Sequence, residues 1–289
     1  AELLLQFPTL NVTLSNLLYT QMLEVAVALN ATFVTTVPEI ENVPMRGWPM
    51  KIKSEFPEMD SYQGGHIGEA VALAAEQAAL HGDHETAASL AHSVAAMLHD
   101  GFLTADLKRT KMVTPGVVVY VPAGAPKGRH KRYAASHKRN TCLDKPQALN
   151  HGLMAGMAAI ALLRACNAID WSQANWHLKD ADGIFLDMTA YLKDLEEFVI
   201  GSARVLLDSL SVRNTTTSSK DVYPGPKGTE WYKWKYWDVS ECPEKVGGIE
   251  DRWEDISHAQ YEIKFAAKVS ALGGEYFGTK EYFGVKKKD

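Results

Sequence analysis

Two short stretches hold the residue types that anion binding and proton transfer require. In residues 144–165, DKPQALNHGLMAGMAAIALLRA, an otherwise apolar helical run is interrupted by the adjacent pair Asn150 and His151. Neighbouring residues on a helix point about 100° apart, so both reach one cleft only at the helix's open end. In residues 250–266, EDRWEDISHAQYEIKFA, His258 and Tyr261 lie three apart on one face of a helix that Asp255 would cap, with Arg252 in the loop before it. Asn150 and Arg252 are donors suited to carboxylate oxygens. His151, His258 and Tyr261 carry groups able to take or give a proton. The competing account is structural: satisfied histidines, a core tyrosine and an ion pair between Arg252 and Glu250 at the surface.

Three further stretches carry binding chemistry. PKGRHKRYAASHKRN, residues 126–140, gathers six Lys or Arg, among them Arg129, Lys131 and Arg132, into one basic segment. The chain around it is acidic, with a formal net charge of −5. A lone basic loop on such a chain argues against a nucleic-acid partner and fits steering of a polyanion. EWYKWKYW, residues 230–237, alternates rings with lysines. It reads either as a surface where Trp234 stacks on sugar faces or as a strand with a buried aromatic face. DSYQGGHIGE, residues 60–69, sets Tyr62, Gln63 and His66 at the mouth of a helix, where they would line a subsite with Arg46 and Trp48.

Positioning these residues falls mainly to helices. Apolar spacing of three and four predicts helices over 14–29, 65–81, 83–99, 144–165, 183–210 and 256–272. Asp83 is expected to cap the third and His81-Gly82 to break the chain before it. Asp144 and Pro146 would open the fourth, and Gly273-Gly274 close the sixth. Only GVVVYVPAG, residues 116–124, reads as a strand. Long connections over 36–64, 101–143 and 211–254 separate the helix pairs, and connections of that size are usually functional. The pattern predicts a single all-α domain over 1–289, an α/α toroid: an incomplete barrel of helical hairpins with loops roofing a cleft.

A length of 289 residues with 46% hydrophobic composition is enough for a substantial core. The longest apolar run, Gly152 to Leu163, falls short of the roughly 20 residues that cross a bilayer. An N-terminal Ala without a cationic leader, together with sequons at Asn11, Asn30 and Asn214, leads to the expectation of a secreted, extracellular glycoprotein. Cys166 lies in the apolar helix as a small hydrophobe. Cys142 and Cys242 lie in loop-like sequence near Asn150 and Arg252, where a disulfide would tie the two chemical segments together and contribute about 4–5 kcal/mol. His81 and His84 straddle Gly82, and neither an HExxH pattern nor a cysteine cluster occurs, so no metal or other cofactor is expected.

QALNHGLMAG, residues 147–156, resembles the Asn-His helix of the alginate-lyase-like polysaccharide lyases, and DRWEDISHAQYEIKFA, residues 251–266, resembles their downstream segment with an Arg, a His and a Tyr. The similarity is closest in character to polysaccharide lyase family 38 and more distant to family 5. It implies an α/α toroid, catalysis without a cofactor, and cleavage of β-1,4-linked polyuronates such as glucuronan or alginate by β-elimination. In that reaction the C5 proton leaves beside a carboxylate whose charge must first be masked. Asn150 and Arg252 are implied for the masking. Tyr261 is implied as acid, and also as base in a syn geometry; His151 is a base or carboxylate contact, and His258 a further candidate base. The expected partner is an anionic polysaccharide met by a monomer. Two rivals stand beside it: an inverting glycoside hydrolase using Asp60 or Glu69 with Glu254 or Asp255, and a noncatalytic carbohydrate-binding protein.

Overall fold

The computed structural model describes residues 12–36, 45–48, 61–103, 108–114, 117–122, 149–180, 182–209, 211–214, 230–233 and 256–272. These residues are mostly helical. The helices are α1 (Val12–Asn30), α2 (Ser61–Leu80), α3 (His84–Leu98), α4 (Leu149–Ala168), α5 (Met188–Ser209) and α6 (Ile256–Leu272). Each overlaps a helix expected from the spacing. None is long and apolar enough to cross a membrane among the described residues.

The helix ends have local causes. Asp83 caps α3 as expected, its Oδ1 accepting from the Thr86 amide at 3.1 Å. Gly82, at φ +82°, makes the left-handed turn that lets α3 fold back on α2. The fifth helix starts later than its spacing predicts. Gly183 sits at φ +80°, and the Asp180 Oδ1 accepts from the Asp182 and Ile184 amides, so residues 180–184 form a turn. Asp187 then caps α5 by accepting from the Ala190 amide at 2.7 Å. Beyond α3 the chain widens into one π-helical turn, His99–Leu103.

The expectation of a single strand was too sparse. Among the described residues, three antiparallel two-stranded sheets lie in or at the edge of the long connections: β1 (Val34–Thr36) with β2 (Met45–Gly47), β3 (Lys108–Thr114) with β4 (Val117–Pro122), and β5 (Ser211–Asn214) with β6 (Glu230–Lys233). β1, β2, β5 and β6, of three or four residues, are too short to register a period-2 pattern, and the seven residues of β3, KRTKMVT, are mostly polar without alternation, which is why only β4 was legible. β6 makes the backbone at the start of the aromatic run a strand, with its side chains outside the described set.

Helix directions follow from side-chain meetings. Gly65 and Gly68 of α2 face Met154 and Ala158 of α4, and Arg164 of α4 bonds Glu76 of α2 at 2.8 Å, so α2 and α4 run parallel. His66 meets Tyr261 and Glu69 meets Lys264, so α6 runs parallel to α2 as well. α3 folds back antiparallel, with Met97 against Gly64 and Gly68. α5 follows α3: the Tyr191 hydroxyl donates to the Ala95 carbonyl at 2.9 Å, and Phe102 packs on Phe198. α1 runs the same way, from Tyr19 stacked on His81 to the Leu29 carbonyl that accepts from Trp48 Nε1. Successive helices therefore alternate in direction, and α2, α4 and α6 open at one common end.

The core is centred on α2 and α4. Val71 through Ala75 and Leu153 through Leu163 are buried on every side, the pattern of helices enclosed by others. Small residues set the spacing. A Cβ on Gly65 would lie 2.6 Å from the Met154 carbonyl carbon, so only glycine lets the two backbones meet there. On the opposite side of α4, a Cβ on Gly156 would lie 2.6 Å from the ring of Phe265, itself fully buried on α6.

Candidate functional site

The shared end of α2, α4 and α6 brings together several residues singled out in the sequence. Gly65 touches α4 at Met154, one helical turn beyond Asn150, and the next residue of α2, His66, meets Tyr261 of α6 edge to face, with ring centroids 4.9 Å apart. Gln63 lies half-buried one turn earlier on α2. Parallel helices put their positive dipole ends together, so this end of the molecule favours negative charge.

Asn150 is the most unusual group there. Its side chain has no exposed surface, and neither Oδ1 nor Nδ2 has a hydrogen-bond partner among the described residues. A buried polar group left unpaired costs about 1–3 kcal/mol. Such an expense in a native interior calls for an explanation, and a role toward a ligand is one. Burial of the amide also means that it touches a ligand only after its neighbours give way.

One turn past the ring contact lies a buried carboxylate that was noted in the sequence only as a hydrolase candidate. Glu69, 4% exposed, is held by Lys264 at 3.1 Å and Lys268 at 3.0 Å, both from α6. Desolvation pulls the His66 imidazole below its ordinary range; Glu69 opposes this and Lys264 adds to it. His66 is thus neutral near pH 7. Glu262, also buried, stands beside Tyr261 on α6. The signal for Glu69 and Lys264 in the sequence was their spacing, each three residues past His66 or Tyr261, which becomes visible only once α2 and α6 are known to be parallel.

Other expected site residues take different places. Arg46 and Trp48 do not line a subsite. Arg46 grips Asp100 through Nε at 2.7 Å, Nη2 at 2.8 Å and its own amide at 3.0 Å, while Trp48 is buried and edge-on to Phe33. Burial pushes the Asp100 carboxyl upward, but the Arg46 and His99 bonds outweigh it and hold the group below the usual carboxylate range. These residues fasten the β1/β2 hairpin to the end of α3. His81 binds the Gln77 carbonyl through Nδ1, and His84 Nδ1 accepts from the Asp170 amide. Among the described residues no cluster of three His, Cys, Asp or Glu is placed to hold a metal ion. Cys166 is buried, with its thiol pushed up to about 12 by desolvation.

His151 and His258 lie on the helical backbone of α4 and α6, Tyr62 on that of α2 and Asn214 on β5; their side chains fall outside the described set. Asn30 closes α1, half-buried. Arg252, Arg129, Lys131, Arg132, Trp234, Cys142, Cys242, Asn11, Asp60, Glu254 and Asp255 lie outside the described residues. No protein-family model, no curated protein and no solved structure matches the chain.

Proposed function

We propose that the chain is a polysaccharide lyase that cleaves β-1,4-linked polyuronates, glucuronan or alginate, by β-elimination on an incomplete α/α toroid. The observation that carries this is the common opening of α2, α4 and α6, with Asn150, His66 and Tyr261 gathered there. The alternating helix directions fit a toroid of hairpins, and the resemblance of residues 147–156 and 251–266 to the alginate-lyase-like enzymes supplies the reaction type.

In the reaction, Asn150 and Arg252 mask the substrate carboxylate, and the helix dipoles at the same end add to that masking. Tyr261 protonates the departing C4 oxygen, and in a syn geometry it first removes the C5 proton. His151 serves as a base or carboxylate contact, with His258 as the other candidate base. Arg129, Lys131 and Arg132 steer the polyanion, Trp234 stacks on a sugar face, and Tyr62, Gln63 and His66 line a subsite. Because Asn150 is buried, its amide meets the carboxylate only once the groups packed on it give way. The protein acts as a secreted monomer without a cofactor.

The hydrolase reading fares less well at the one candidate carboxylate described. Glu69 is buried and clamped by two ammonium groups, a poor setting for donating a proton to a glycosidic oxygen. Incubation with glucuronan, polymannuronate and polyguluronate decides. Chain shortening with ultraviolet absorbance from the new double bond supports elimination. Shortening without it marks hydrolysis, and binding without shortening marks a noncatalytic protein.

A further inference from the structure

His66 and Glu69 lie three apart on α2, and Tyr261 and Lys264 lie three apart on the parallel α6. At (i, i+3) spacing each pair shares a helix face. The faces meet as two rungs: ring on ring at 4.9 Å, then Lys264 on Glu69 at 3.1 Å, with Lys268 completing the second rung at 3.0 Å. We propose that Glu69 and Lys264 are positioning residues for His66 and Tyr261, fixing the register of α6 on α2 and setting opposed charges one turn beneath the imidazole.

The proposal rests on the elimination reading for what Tyr261 does, while the rungs themselves stand on geometry. A slip of α6 along α2 would part the rings and strand the buried Glu69 carboxylate without a counter-charge, which is strongly unfavourable. The carboxylate is 4% exposed, so its pairing is little screened by solvent. Charged and titratable groups facing His66 include Glu69 on its own helix and, on α6, Tyr261, Lys264 and, through Glu69, Lys268. α3 presents Met97 and Val94 to this part of α2, and α4 presents Met154, Ala155 and Ala158. The anion of Glu69 favours protonated imidazole and the cation of Lys264 opposes it.

Opposite signs make the test. The His66 imidazole resonance of the full chain, identified by its loss in His66→Gln, is titrated by nuclear magnetic resonance in the wild type, Lys264→Met and Glu69→Gln. Lys264→Met should move the midpoint up, Glu69→Gln should move it down, and Lys264→Arg should restore the wild-type curve. Lys264 is 41% exposed at its side chain and Lys268 still pairs with Glu69 at 3.0 Å, so its replacement leaves the fold in place. If Glu69→Gln fails to fold, the Lys264 variants decide alone. An unmoved or downward midpoint in folded Lys264→Met overturns the proposal. This titration needs no turnover: shifts of the expected sign without elimination would remove the lyase reading only, and elimination with an unmoved midpoint would remove the positioning role only.

Discussion

Asn150 and Tyr261 were picked out by residue type, and both lie at the common end of three helices. What stayed hidden were the groups that act across helices. Arg46 looked like a sugar contact because an exposed-type residue beside Trp48 suits a subsite, yet it spends its guanidinium on Asp100, a partner 54 residues away that no local spacing announces. Arg46→Met should therefore destabilise the fold by about 3 kcal/mol, because it leaves the buried Asp100 carboxylate with His99 as its remaining side-chain partner, read as a lower urea midpoint. His92 gives a pH signature. It is buried against Trp176 and His177 and held at about 4 by desolvation, with the His177 charge adding to the effect. The unfolded chain takes up that proton near pH 6.5, so stability is full above this value and declines as pH falls toward 4, by on the order of 3 kcal/mol. His92→Gln should flatten that part of the curve of unfolding free energy against pH.

Helices were legible as elements because their apolar faces recur over fifteen residues or more. Their ends were legible where one side chain makes the cap, as at Asp83, and were misplaced where a turn competes, as at Gly183 and Asp180. The close approach of α2 and α4 left only a faint trace, a Gly-rich start to α2 whose purpose depends on the partner helix. Gly65→Ala would push a methyl into the α4 backbone and force the helices apart. A loss of about 2 kcal/mol is expected, measured as a fall in melting temperature, whereas alanine at Gly152, which meets nothing within 4 Å, should leave stability unchanged or raise it.

At the scale of the molecule, composition and periodicity were enough for the mostly helical character of the described residues, and the alternating directions of the six described helices come from packing that sequence spacing does not encode. That alternation places the N-termini of α2, α4 and α6 together and gives the proposed elimination its site. In the proposed reaction Tyr261 is the residue on which the chemistry converges. The deciding measurement is the ultraviolet rate of unsaturated-end formation on the polyuronate panel, wild type against Tyr261→Phe, with polymer binding followed in parallel. A wild-type signal that falls by about 10²- to 10⁴-fold in the variant while binding persists is the predicted result. No unsaturated product from the wild type, or an undiminished rate in Tyr261→Phe, would contradict it.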